Sequence, residues 1–147
     1  MKQRVLFVCV GNACRSPMAE GFAKAYGMDC MEASSGGLSP GKAVDSNSAA
    51  VMKERALDIS SHRPKMLEEA LRQGPTLIVN MSGRPLPHYA QGILSEDWLV
   101  RDPVGEPLGV HREVRDEIEA LVMQLVLKLR SVSDSGKGKR IRMGRLG

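Results

Sequence analysis

The chain is short of cysteine, of aromatic side chains and of long apolar runs, and these shortages narrow what it can be. Its 147 residues contain three cysteines, Cys9, Cys14 and Cys30. They do not make the disulfide framework of a small secreted domain, so reactivity is the better reason to look at them. No stretch approaches the roughly 20 apolar residues of a membrane span. Lys2 and Arg4 precede an apolar run of only about five residues, short of the roughly 7–15 in a secretory signal. The chain is therefore expected to be cytoplasmic, without a membrane partner. Zinc-ligand patterns are also missing. Cys9 and Cys14 have the wrong local spacing, and His62, His88 and His111 are scattered. Neither a metal nor a cofactor is expected.

Charge is unevenly placed. The chain holds 21 basic and 17 acidic residues, a net +4. Residues 131–147 hold five of the basic residues (Lys137, Lys139, Arg140, Arg142, Arg145) against Asp134 alone, which leaves residues 1–130 neutral. The tail is rich in Ser and Gly and poor in apolar residues, a composition that does not fold by itself. One domain over 1–130 and a basic, disordered tail over 131–147 are expected. Such a tail is better read as solvated than as a nucleic-acid contact.

The order of elements points to an α/β fold. Residues 4–9 are nearly all apolar, as in a strand buried on both faces of a parallel sheet. Pro17 suits the first turn of a helix with Ser16 as its N-cap, and Met18, Phe22 and Tyr26 form one face before a stop at Gly27. A strand over 31–35 precedes the loop 36–41. Helices follow over 46–57, with Ala50, Val51 and Ala56 inward, and from Pro64 to about Arg72. Thr76–Asn80 is a short β-branched strand, and 82–92 reads as loop or short helical turns. Residues 97–100 form a last strand. Val114, Ile118, Leu121, Leu125 and Leu129 mark one stripe of a terminal helix. Alternating strands and helices imply a parallel sheet covered on both sides, with ligands at the C-terminal strand ends. Cys9 and Asp102 lie at such ends.

The segment Cys9-Val10-Gly11-Asn12-Ala13-Cys14-Arg15-Ser16-Pro17 joins the first strand to the first helix. A loop that opens a helix presents unpaired backbone N–H groups, and the helix dipole favours an anion there. Gly11 permits the positive φ that a curled loop needs. Arg15 matches two oxygens of a tetrahedral anion at once, which lysine cannot do. The same positive field favours the thiolate form of Cys9. Ser16 can donate to that sulfur, and Asn12 can pin the loop through side-chain bonds to its backbone. A merely buried cysteine would explain neither Gly11 and Asn12 nor the arginine.

This segment resembles the phosphate-binding loop of the low molecular weight protein-tyrosine phosphatase family, whose fold is shared by thioredoxin-coupled arsenate reductases and protein-arginine phosphatases. The likeness runs over roughly residues 4–130. It includes Gly37-Leu38-Ser39-Pro40-Gly41, Asp58-Ile59-Ser60-Ser61-His62-Arg63 and Trp98-Leu99-Val100-Arg101-Asp102-Pro103. The resemblance implies a three-layer α/β sandwich, with a four-stranded parallel sheet flanked by helices and the phosphate loop, Val10 to Arg15, after strand 1. It makes Cys9 the nucleophile, Arg15 the phosphate clamp and Asp102 the general acid, supported by Asn12, Ser16 and His62. It implies hydrolysis of phosphomonoesters, protein phosphotyrosine first, through a phosphocysteine and without metal. The partners implied are a phosphorylated protein or small aryl phosphate and a phosphate or arsenate oxyanion. By itself, Asp102 before Pro103 reads equally well as a turn aspartate or as an acid held beside the anion. His62 by itself reads as a capping or surface residue. In the family, the second loop cysteine can form a reversible disulfide with the nucleophile. Cys14 is compatible with that role or with simple packing.

Two departures matter. Eukaryotic-type tyrosine phosphatases of the family usually carry aromatics just after the Asp-Pro pair, where this chain has Val104-Gly105. Of its five aromatics, Phe7, Phe22 and Tyr26 read as core, leaving Tyr89 as the main wall for a ring. The arsenate reductase relatives pass a disulfide to cysteines after the third strand. Here that place reads Met81-Ser82-Gly83-Arg84, and no cysteine follows Cys30, so that relay is unavailable. An arsenate reductase-like oxidoreductase, a protein-arginine phosphatase and a non-catalytic phosphate sensor stand as alternatives.

Overall fold

The structure, a computed structural model, describes residues 2–142, with side chains through residue 132. Strands β1 (Gln3–Cys9), β2 (Met31–Gly37), β3 (Leu77–Asn80) and β4 (Ser95–Asp97) form one parallel sheet in the order β2-β1-β3-β4. Helices α1 (Arg15–Tyr26), α2 (Ser46–Lys53), α3 (Leu67–Ala70) and α4 (Leu108–Arg142) connect and cover it. The α/β class, the four parallel strands and the flanking helices agree with expectation.

The apolar run of β1 has a direct cause. Val5, Phe7 and Cys9 pack into one cluster with Met18 and Phe22 of α1, Met52 of α2 and Ile118 of α4. Leu6 and Val8 face the other way, against Leu67 and Ala70 of α3 and Ile78 of β3. Both faces are covered, so alternation disappears. At roughly 25 cal/mol per Å² of apolar surface removed from water, this double burial is what holds β1 at the centre. The centre is where Cys9 must be if loops from both sides are to meet it.

Several elements differ from expectation. Helix α2 stops at Lys53. Ala56 adopts φ 60° and is exposed, as is Ala50, and the inner face is Ser48, Val51 and Met52. The expected helix from Pro64 shrinks to Leu67–Ala70 and a 3-10 turn at Leu71–Gln73, because Met66 bridges to Gly37 instead. The last strand is Ser95–Asp97 rather than 97–100, and Trp98 still donates its amide to Asn80 O at 2.9 Å. Gly27 caps α1 with φ −125°, so left-handed freedom is not its purpose. A Cβ there would meet Val126 of α4 at 2.8 Å, so the glycine lets two helices touch.

Helix α4 runs through the boundary expected at 130. Its buried positions include Val114, Ile118, Val122, Leu125 and Val126, and the helix extends to Arg142. Residues 131–142 therefore continue the helix, in place of the irregular tail that composition implied. Residues 143–147 of that tail lie outside the described residues. No helix among the described residues is long and apolar enough to cross a membrane.

Candidate active site

β1 delivers Cys9 to the C-terminal edge of the sheet between β2 and β3, paired with Gly37. The chain then curls over residues 10–14 and enters α1 at Arg15, with Cys14 as N-cap and no side-chain cap. Ser16 is thus not the cap. It lies within the first turn, and its hydroxyl points back to Cys9 Sγ at 3.0 Å. The expected positive φ at Gly11 does not occur. Asn12 takes it, at φ 49°. Asparagine tolerates this conformation, and its amide fastens the loop in ways glycine could not.

The loop's carbonyls point outward. Cys9, Val10 and Gly11 O accept from the amides of Leu38 (3.2 Å), Ser39 (2.8 Å) and Gly41 (2.9 Å), and Ala13 O accepts from Asp45 (2.7 Å). In a planar trans peptide the next N–H points the opposite way, so the amides of Val10, Gly11, Asn12 and Cys14 turn to the concave side. The segment 37–45 thereby shapes an anion cradle without touching the anion. Gly37 makes this approach possible. A Cβ there would lie 2.9 Å from Asn12 Cβ, Asn12 N and Val10 O.

Asn12 is fully buried and central. Its Nδ2 donates to Ser16 Oγ at 2.8 Å and to Ser35 Oγ at 2.9 Å, and its Oδ1 accepts from the Lys65 amide at 3.0 Å. Ser35 in turn donates to Glu20 Oε1 at 2.5 Å. Ser16 accepts from Asn12 and keeps its own hydrogen, which it donates to the Cys9 sulfur when that sulfur is a thiolate. His62 Nε2 lies 3.0 Å from Asn12 O and 3.2 Å from Oδ1. Both are acceptors, so Nε2 carries the hydrogen. Burial pushes His62 below its ordinary value, against the pull of Glu20, whose Oε1 is 3.9 Å from Nδ1. Burial also works against the Glu20 carboxylate, but hydrogen bonds from Lys24 and Ser35 hold it below the usual carboxylate range.

Arg15 is 5% exposed. Its Nη1 donates to the carbonyls of Met81 (2.6 Å) and Val100 (3.1 Å), just past β3 and β4. Its Nη2 lies 3.6 Å from Asp102 Oδ2. Its Nε is buried and has no hydrogen-bond partner among the described residues. A buried donor of a permanent cation is costly to leave unmade, and the Nε–Nη2 edge is the one that forks onto an oxyanion. Asp102 is half exposed and accepts the Val104 amide at 3.1 Å in an Asx turn.

The structure thus brings together Cys9, the loop 10–15, Ser16, His62 and Asp102. Sequence reasoning missed Ser35, Glu20 and Lys65, which carry no local motif, and the carbonyls of Met81 and Val100, which no side chain announces. The three cysteines are free and buried. Cys30 opens the path into β2, at the opposite end of the sheet from Cys9. The seven residues of β1 separate those ends by roughly 20 Å at about 3.3 Å per step, so these two cannot pair. Burial pushes the Cys14 thiol up to about 12, against a hydrogen bond from Ser48, which keeps it protonated. Trp98 is tilted onto Phe7 at 5.8 Å and belongs to the core. The rim beside Asp102 is aliphatic instead, with Leu99 92% exposed and Val104 54%. Tyr89, the expected wall, is exposed on the 3-10 turn His88–Ala90. A 610 Å³ cleft opens at the ends of β3 and β4, bordered by Asn80, Arg84 and Trp98 and by none of residues 10–15.

Known proteins match this architecture. The family described as low molecular weight phosphotyrosine protein phosphatase matches residues 4–135. A glutaredoxin arsenate reductase of Synechocystis sp. is 33% identical over 130 residues, covering 86% of this chain and 98% of the relative. A solved arsenate reductase in the phosphate binding state superposes with a TM-score of 0.80 at 35% identity, over 88% of this chain and 99% of that one. A low molecular weight protein tyrosine phosphatase from T. tengcongensis gives 0.71 at 35% identity, over 86% and 99%.

Proposed function

Since this chain belongs to the low molecular weight phosphotyrosine protein phosphatase family, we propose that it hydrolyses phosphomonoesters, protein phosphotyrosine above all, through a phosphocysteine on Cys9. The observation that carries this reading is the unpartnered Nε of the buried Arg15 at the mouth of an amide-lined loop. That donor set fits three equatorial oxygens of a phosphoryl group.

In the proposed reaction, the Cys9 thiolate attacks phosphorus in line with the leaving oxygen. Arg15 and the inward amides take up charge on the equatorial oxygens. Asp102, half exposed beside Nη2 of Arg15, protonates the leaving oxygen as the P–O bond breaks. It then takes a proton from the water that attacks the phosphocysteine. The sulfur leaves as a thiolate, and the Ser16 hydroxyl at 3.0 Å stabilises it. The side chains of Asn12, Ser35, Glu20 and His62 hold the loop in register and touch no reacting atom.

Arsenate reduction is the second reading, favoured by the arsenate reductases among the similar proteins. The Cys9 thiolate would attack arsenate in the same cradle, forming an S–As bond as one As–OH bond breaks and its oxygen, taking a proton from Asp102, leaves as water. An external thiolate would then attack the Cys9 sulfur. The S–As pair would stay on arsenic, reducing it to arsenite and leaving a mixed disulfide that a second thiol reduces. An external thiol is needed because Cys30 is remote and Cys14 is held protonated. Turnover of p-nitrophenyl phosphate, phosphotyrosine peptide and phosphoarginine peptide, and of arsenate with added thiol, separates the readings. Phosphatase turnover abolished by Cys9→Ser is expected, and turnover that survives it refutes the covalent step. Asp102→Ala should slow an alkyl phosphate far more than nitrophenyl phosphate, whose leaving group needs no acid. Arsenate turnover without phosphatase activity promotes the second reading.

A further inference from the structure

Behind the loop lies a second cluster that the proposed chemistry leaves unused. Cys14 of the loop, Asp45 at the N-cap of α2 and His111 in α4 bring one ligand-type atom each to within 4.8 Å of one another. Cys14 is 3% exposed, and His111 is not exposed at all. Ser48 Oγ is 2.9 Å from Cys14 Sγ and 2.7 Å from Asp45 Oδ2. The residues come from three separate elements, so their sequence spacing shows nothing.

The geometry around His111 goes beyond packing. Its Nδ1 is 3.1 Å from the carbonyl of Pro107, which only accepts, so Nδ1 carries a hydrogen. Its Nε2 then faces Asp45 Oδ2 at 2.9 Å. A ring lone pair and a carboxylate oxygen this close need one positive species between them. A proton serves that purpose, and so does a metal ion that also takes the nearby sulfur. A histidine locked onto a backbone carbonyl by its second nitrogen is the arrangement that orients imidazole ligands.

We propose that Cys14, Asp45 and His111 bind a divalent cation of the zinc class, with Ser48 Oγ or a water completing a tetrahedron. Thiolate, imidazole and carboxylate together select Zn²⁺ over Mg²⁺ or Ca²⁺. Bonds of about 2.0–2.3 Å place tetrahedral ligand atoms roughly 3.3–3.8 Å apart, so on binding the sulfur closes by up to about 1 Å while the 2.9 Å His111–Asp45 pair opens slightly. The Cys14 thiol proton and the proton between His111 and Asp45 leave to solvent. Ligation ties the loop at Cys14 to α2 and α4, so the cation acts on the loop from behind.

The test uses the full, reduced chain titrated with Co²⁺ alone in a spectrophotometer and with Zn²⁺ alone in a calorimeter. One equivalent is expected, with a thiolate-to-cobalt charge-transfer band. Binding should survive in Cys9→Ser and weaken at least about tenfold in Cys14→Ser and His111→Asn. Should those variants fail to fold, the ¹⁵N spectrum of the wild-type histidines decides: on zinc addition His111 Nε2 should shift while its Nδ1 hydrogen persists. Loss of binding in Cys9→Ser, a shift of His62 or His88 in place of His111, or no binding at micromolar metal overturns the proposal. These readouts do not depend on turnover, so they stand or fall apart from the phosphatase reading.

Discussion

Replacing Asn12 by alanine removes a buried amide that makes four side-chain hydrogen bonds, to Ser16, Ser35, the Lys65 amide and His62. At about 1 kcal/mol each, these amount to about 4 kcal/mol. Alanine at φ 49° adds roughly 1 kcal/mol of left-handed strain. The sum, about 5 kcal/mol, is a large share of the roughly 5–15 kcal/mol that stabilises a whole domain. In a chain of this size each kcal/mol moves the melting temperature by roughly 2–4 °C, so Asn12→Ala should melt about 10–20 °C below the wild type. Asn12→Gly loses the same bonds without the strain and should be the more stable of the two. Thermal and urea unfolding followed by circular dichroism measure both. A fall of less than about 3 °C for alanine would show that the network does not hold the loop. Alanine outlasting glycine would refute the conformational part alone.

Further outcomes follow from the same geometry. Ser16→Ala removes the hydroxyl 3.0 Å from Cys9 Sγ. A hydrogen bond to a charged sulfur contributes about 1.5–3 kcal/mol, so phosphatase turnover should fall roughly 10–150-fold, while loss of the Asn12 bond to the same hydroxyl lowers the melting temperature by only about 2–4 °C. Wild-type turnover would remove Ser16 from the proposed chemistry. His62 titrates below its ordinary value because of burial. The unfolded chain therefore takes up that proton first. The contribution is complete above about pH 6.5 and is lost as pH falls through the lower folded value. The urea midpoint should drop between about pH 7 and pH 5, and less so in His62→Gln; identical drops would contradict the assignment. Gly37→Ala drives a Cβ to 2.9 Å from Asn12 and Val10. Overpacking against backbone costs about 1–3 kcal/mol and should displace the loop, read as weakened inorganic phosphate binding by calorimetry. Unchanged phosphate affinity would mean that β2 does not set the loop.

Much of the site was legible because its grammar is local. The apolar run ending at Cys9, the arginine six residues on and the proline at the helix start occupy consecutive positions in the chain. Asp102 needed the family likeness as well, because an aspartate before proline serves a turn equally well. The Asx turn to Val104 and the approach to Arg15 turn out to be compatible in one residue. Gly11 does not carry the positive φ that its place in the loop implied; Asn12 does. The bonds that the Asn12 side chain makes to Ser16, Ser35, His62 and the Lys65 amide decided that, and of these only Ser16 lies in the local pattern.

Local chemistry by itself determined that a strand, an oxyanion loop and a helix follow one another near the N-terminus, since propensity, capping and spacing act over a few residues. It could not determine that Met81 and Val100 carbonyls would hold Arg15, or that Ser35 and Glu20 would support Asn12. Nor could it place Cys14, Asp45 and His111 together. Those pairings exist only once the sheet brings distant strand ends to one edge and α4 closes over α2. Burial then makes each polar partner obligatory.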